Sequence, residues 1–231
     1  MAGTKELKKR IGTVKNTQQT TRAMKLVSAA KLRKSQDSIL TKRPYAKTLD
    51  RLIRLVSSMT DVPFESPLLG NTQGGFGKTS KKGQATGHCL VVVVTSDRGL
   101  CGGFNATIIK TATKWIEENR NQYEKLSLAF VGRRGNEYFG RRGHKAAFYE
   151  EFGRGVSFQQ ARDLSSKIID DFVEGKFTSV KFVYNEFKNA ISQIPVVENF
   201  LPLHGETLQA VKDQKTQVAE ADLYLVKPDL K

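Results

Sequence analysis

Residues 4 to 43 contain no proline and a single glycine, Gly12, so this stretch can run as one unbroken helix. The first 55 residues hold 15 Lys+Arg against three acids, Glu6, Asp37 and Asp50. That segment therefore carries +12 of the chain's net +15, and the remaining 176 residues are near balance. Leu7, Ile11, Val14, Leu32 and Ile39 fit the apolar positions of a heptad seam, continued by Ala46, Leu49, Ile53 and Val56. The middle of the same seam is Gln18, Thr21, Lys25 and Ser28, so it is apolar at both ends and polar between. A helix of about 55 residues is about 80 Å long. Pro44 removes one amide bond and disfavours helical geometry at Arg43, which predicts a kink or short break there. A basic rod joined to a nearly neutral body points to docking or mechanics, with something acidic against the rod.

Hydrophobic residues make up 39 % of the 231, and they concentrate after residue 88, where a core can form. Cys89 and Cys101 alone give no disulfide framework and suit a reducing compartment. No apolar run approaches the roughly 20 residues that span a bilayer, and Met1-Ala2-Gly3 leads straight into charged helix without a signal-peptide stretch. The chain reads as soluble.

Residues 60 to 88 read as a linker or surface excursion, with Pro63, Pro67 and six glycines. Gly77-Lys78-Thr79 resembles the tail of a phosphate loop, but Thr72 stands where the first glycine belongs and no apolar helix follows. From Cys89 the texture changes. Cys89–Thr95 is a buried-strand run, followed by the turn 96–103 and a helix over Phe104–Asn119. Strands are predicted at Leu126–Val131, Ala146–Glu150, Val180–Phe187 and Val196–Leu203. Helices are predicted at Asn136–Arg141 and Phe158–Val173. Alternation of this kind predicts an α/β fold, an open and mostly parallel sheet with flanking helices. The last two strands follow each other directly, so that edge is expected to be antiparallel. The domain reading is a shaft helix over 1–59, a Gly/Pro-rich loop over 60–88 and a globular α/β domain over 89–231.

The turn Asp97, Arg98, Gly99, Leu100, Cys101, Gly102, Gly103 lies at the carboxyl end of the first strand, where open sheets often bind ligands. Its glycines miss the dinucleotide spacing, so Asp97, Arg98, Gly99, Gly102 and Gly103 are read as a structural turn. His88, His144 and His204 are dispersed, and His88-Cys89 with Cys101 matches no zinc spacing. The pairs Asp170-Asp171 and Glu150-Glu151 are neighbours whose side chains point apart, as on solvated faces. No catalytic residue, cofactor or metal is expected.

The stretch from Asn16 to Lys34, NTQQTTRAMKLVSAAKLRK, resembles the N-terminal helix of the gamma subunit of F-type ATP synthase. Arg43-Pro44-Tyr45-Ala46, Thr95–Asn105 (TSDRGLCGGFN) and Ile194-Pro195 leading into Phe200-Leu201-Pro202-Leu203 resemble the same family, in the family's order. The likeness covers about 1–58 and 89–228. It implies a central-stalk rotor that couples proton flow to conformational change in the catalytic subunits. The implied partners are the ring of alpha and beta subunits, epsilon and the membrane c-ring. The implied location is peripheral, on the cytoplasmic side of a bacterial inner membrane. It also implies that Met24, Lys25, Lys31, Arg33 and Lys34 face loops of the beta subunits. The family continues into a second long helix that pairs with the first, and these 231 residues stop before it. The helix before Tyr45 has no aromatic residue, which suits an axle that must not be pinned by a deep hot spot.

Two other readings compete. A basic coiled-coil arm would bind nucleic acid, although it lacks a recognition motif. A nucleotide-dependent enzyme would use the turn at Gly99–Gly103, although the fingerprint is missing.

Overall fold

The computed structural model describes residues 2–59, 66–69, 87–153, 155–189 and 192–203. The chain divides into two compact units, Met1–Met59 and Thr60–Lys231.

The first unit is one helix, α1, Ala2–Met59, about 87 Å long at 1.5 Å per residue. It runs through Pro44 without a break, where the sequence predicts a kink or interruption. The helix before and after Pro44 is long enough to absorb one missing amide bond. The threonines of the rod are occupied with its own backbone. The hydroxyls of Thr13, Thr17, Thr20 and Thr21 donate to the carbonyls of Lys9, Thr13, Asn16 and Thr17 at 2.8–3.1 Å. Such back-bonding satisfies the hydroxyl locally and turns the methyl outward.

The second unit is built on a five-stranded sheet in the order β3-β2-β1-β4-β5. Its strands are β1 (His88–Val94), β2 (Lys125–Val131), β3 (Ala146–Glu150), β4 (Ser179–Phe187) and β5 (Gln193–Leu201). β1 pairs in parallel with both β2 and β4, and β2 in parallel with β3. β5 runs antiparallel to β4, as the direct succession of the two strands predicts. Three helices complete the unit: α2 (Phe104–Asn119), α3 (Arg133–Gly140) and α4 (Phe158–Val173).

The run Cys89-Leu90-Val91-Val92-Val93 has no polar face because β1 is covered on both sides. Cys89, Val91 and Val93 join Ile108, Ile109 and Ala112 of α2 and Phe139 of α3 in one core. Leu90 and Val92 join Ile168 and Phe172 of α4, with Phe177, in the other. Each fully buried Val or Leu contributes about 1.5–3 kcal/mol. α4 starts at a capping box, Ser157 accepting from the Gln160 amide while Gln160 accepts from the Ser157 amide.

Two element starts lie three residues before the expected ones, while the other ends shift by two residues or fewer. α3 begins at Arg133 rather than 136, because the Arg133 amide is met by a carboxylate oxygen of Asp97. β5 begins at Gln193 and takes in Pro195. An edge strand tolerates a proline whose missing amide would face outward. Of the 60–88 segment, only 66–69 and 87–88 are described, and Gly77-Lys78-Thr79 lies outside the described residues. Pro67–Leu69 forms a 3-10 turn whose Leu68 packs on the α4 side of the sheet and accepts the Leu203 amide at 2.8 Å.

At the amino end of β1, the His88 ring meets the Ser127 hydroxyl at 2.7 Å and stands edge-on to Phe177. Burial, and then the charge of Lys125, push its pKa below the ordinary 6.5, against a backbone hydrogen bond that raises it. The unfolded chain therefore takes up the proton more readily, so this contribution to stability is present above pH 6.5 and is lost as pH falls below it. Urea midpoints followed by fluorescence of Trp115, the single tryptophan, are expected to fall between pH 7.5 and 5. The fall is expected to be smaller in His88→Gln.

Candidate functional site

The carboxyl end of β1 ties the neighbouring loops together. Thr95 donates its amide to the Val131 carbonyl at 2.7 Å, and its hydroxyl accepts the Gly135 amide at 2.8 Å. The two oxygens of Asp97 accept amides from two different connections, Arg133 after β2 at 3.1 Å and Gly153 after β3 at 2.8 Å. The Ser96 carbonyl accepts the Arg134 amide at 3.2 Å. Asn105, in the first turn of α2, returns its side chain to the Ser96 amide and hydroxyl at 3.0 and 2.9 Å. Three consecutive residues thus fix the exits of β2 and β3 and the entry of α2.

Gly132 is required by this arrangement. Its φ is +100°, and a Cβ there would stand 2.1 Å from the Thr95 carbonyl oxygen. The signal in the sequence was the strand-end glycine after Phe130-Val131, but only the fold shows what approaches it. Thr95, Ser96, Asn105 and Gly132 were not singled out as site residues; Asp97 was.

The rest of the turn projects outward. Leu100 has a positive φ of 59° and is fully exposed, and Gly102 has a φ of 57° with open space around it. Gly99 lies against the Arg134 guanidinium, and Gly103 accepts both the amide and the hydroxyl of Thr107. The Arg98 carbonyl accepts the Ser96 hydroxyl at 2.6 Å. Within the turn the Arg98 carbonyl also faces the Cys101 thiol at 3.9 Å.

Among the described residues there is no group of three or more His, Cys, Asp or Glu able to hold a metal. Cys89 is buried beside Ser179 and Cys101 is exposed beside Asn105, near opposite ends of β1. Burial raises the Cys89 thiol pKa, the reverse of what a reactive cysteine needs. His144 stands edge-on to Phe139, and His204 lies outside the described residues. Asp171 is paired with Lys176 at 2.6 Å, and Glu151 accepts the Tyr149 hydroxyl, whose pKa is pushed up to about 12 by burial and then by that bond.

On α1, Met24, Lys25, Lys31, Arg33 and Lys34 are all exposed. They do not form one stripe. At 100° per residue, Met24 and Lys31 share a face with Lys34 near it, while Lys25 and Arg33 lie round the helix from them. The exposed apolar residues Leu7, Ile11 and Val14 do share a stripe, at i, i+4 and i+7.

The chain thus combines a doubly wound α/β unit whose strand-end loops hold each other with a long cationic helix. The family model described as ATP synthase matches residues 3–231. An ATP synthase gamma chain of Bdellovibrio bacteriovorus is 42 % identical over 204 residues, covering 88 % of this chain and 65 % of its own length. One from Cytophaga hutchinsonii is 38 % identical over 222 residues, covering 94 % of this chain and 71 % of its own. The chain thus spans about two thirds of the length of such relatives. The central stalk and c-ring structure of the Tetrahymena thermophila mitochondrial ATP synthase contains a chain of the same fold. Its TM-score is 0.58 at 21 % identity, over 90 % of this chain and 79 % of that one. This chain belongs to the ATP synthase gamma-chain family. The nucleic-acid-arm alternative finds no support in these comparisons.

Gly132→Ala is expected to cost about 2–4 kcal/mol, since it adds both a backbone clash and a strained φ. Asp97→Ala is expected to cost about 1–2 kcal/mol through two stranded amides, discounted for partial exposure. Urea denaturation followed by Trp115 fluorescence measures both. Equal, near-zero costs would mean that the strand-end loops are held by something else.

Proposed function

We propose that this chain is the central-stalk rotor subunit of a proton-translocating F-type ATP synthase. It couples proton flow through the membrane sector to conformational change in the catalytic subunits. The observation that carries this reading is the match to gamma chains along nearly the whole of the 231 residues. Its partners are the ring of alpha and beta subunits around the rod, and epsilon and the c-ring at the globular unit. Its place is peripheral, on the cytoplasmic side of a bacterial inner membrane. The bacterial relatives support this, and no helix among the described residues is long and apolar enough to cross a membrane.

The physical chemistry of the rod fits the task. A rotor biases each surrounding subunit only through contacts that differ between their states. It must also leave each contact again. The rod before Tyr45 carries no aromatic anchor, and its middle threonines have spent their hydroxyls on the helix. Exposed cations act over a Debye length of about 8 Å without demanding one geometry. Met24, Lys25, Lys31, Arg33 and Lys34 are the residues proposed to meet loops of the beta subunits. Their spread around the helix suits successive contact with several equivalent partners.

Co-expression with alpha and beta subunits from the same source is expected to yield a complex with one copy of this chain per hexamer, by size-exclusion chromatography. Reversal of three charges together, Lys25→Glu, Arg33→Glu and Lys34→Glu, is expected to abolish most ATP-driven proton pumping in reconstituted vesicles. The Trp115 unfolding midpoint should stay where it is. Unchanged pumping would remove the electrostatic role of these residues, and absence of any complex would remove the rotor reading for this chain.

A further inference from the structure

Between α2 and α3 runs an open groove of about 750 Å³, lined along α2 from Asn105 to Glu117 and, from Arg134 to Arg142, along α3 and the turn that follows it. That stretch of α2 is about 18 Å long. Its floor is apolar, formed by Ala106, Ile109 and the ring of Tyr138. Its rim is cationic. Lys110, Lys114, Arg134, Arg141 and Arg142 line it with Glu117 and Glu137; Glu118 pairs with Lys114 at 3.7 Å, and Glu137 is held by Arg133 at 3.4 Å and Arg134 at 3.1 Å, so the cations remain in excess. Arg142 lies flat over the Tyr138 ring at 3.6 Å, which extends the apolar floor and keeps a charge at its edge. Two buried polar atoms of lining residues, Thr113 Oγ1 and Arg134 Nε, have no hydrogen-bond partner.

We propose that this groove docks an acidic, amphipathic helical segment of a partner chain. Length and floor select a helix over a small anion. An 18 Å trough between two helices takes a third helix of about 12–14 residues, whose apolar stripe meets the floor. The rim selects the sign of the charge. Glutamates flanking that stripe meet Lys110 and Lys114 on one side and Arg141 on the other. This inference uses only the second unit and stands or falls apart from the rotor reading.

The test uses the full chain with photoreactive benzoylphenylalanine in place of Ala106. The probe is a synthetic 14-residue peptide with leucines at i, i+3, i+4 and i+7 and glutamate elsewhere. Because α1 is itself basic, the yield of the crosslink at position 106 is the readout. Saturable crosslinking is expected, weakened about tenfold by Lys110→Glu with Arg141→Glu and reduced by salt. The rod variant Lys8→Glu with Lys9→Glu should leave it unchanged. No crosslink overturns the proposal, as does one indifferent to the groove variants. Equal capture of a lysine counterpart, or of a glutamate peptide lacking leucines, overturns it too. Inorganic tripolyphosphate that binds with the same variant sensitivity while the peptide fails to crosslink would assign the groove to small anions instead.

Discussion

Strand β1 has no surface to spare. Its five central residues are fully buried, alternating between two cores that lie on opposite faces of one sheet. The elements next to it are placed by the need to cover it. β2 and β4 flank it in parallel, α2 and α3 close one face, and α4 closes the other. A strand enclosed on all sides leaves only its ends for anything else. At the carboxyl end, Thr95, Ser96 and Asp97 therefore become the point where the exits of β2 and β3 are tied. In many folds of this topology such a crevice holds a ligand. Here the same geometry is used to hold the chain to itself.

Much of this was legible in the residues. Four consecutive valines after Leu90 have no period of two, and only a strand covered on both faces explains them. The spacing of Ile108, Ile109, Ala112, Trp115 and Ile116 placed α2, and the direct succession of the last two strands foretold their antiparallel pairing. What could not be read were effects of approach. Asp97 looked like one residue of a tight turn, and only the fold brings the Arg133 and Gly153 amides to its carboxylate from 36 and 56 residues away. At Pro44 the short break that was one of the two expected outcomes does not form. Local geometry favours an interruption, while the long helix on either side overrides a single lost amide bond.

The rod shows how ordinary side-chain habits produce an unusual surface. Threonine is a poor helix former because its branched side chain loses freedom and its hydroxyl competes for backbone. In α1 that competition is resolved inside the helix, one turn back, at several successive threonines. The rod thereby gains a polar composition without offering many free hydroxyls. Exposed aliphatics such as Leu7, Ile11 and Val14 lie on the same stripe as Gln18 and Thr21, which changes from apolar to polar along its length.

The cations of α1 around residues 22–34 point in nearly every direction about its axis. A cylinder charged in this way has almost the same potential at each azimuth beyond a few ångströms. Whatever encloses it feels a steady pull toward the axis but receives little angular information from charge. On such a surface orientation is carried by shape, by which side presents methionine, alanine or a lysine stem, rather than by where the charge lies.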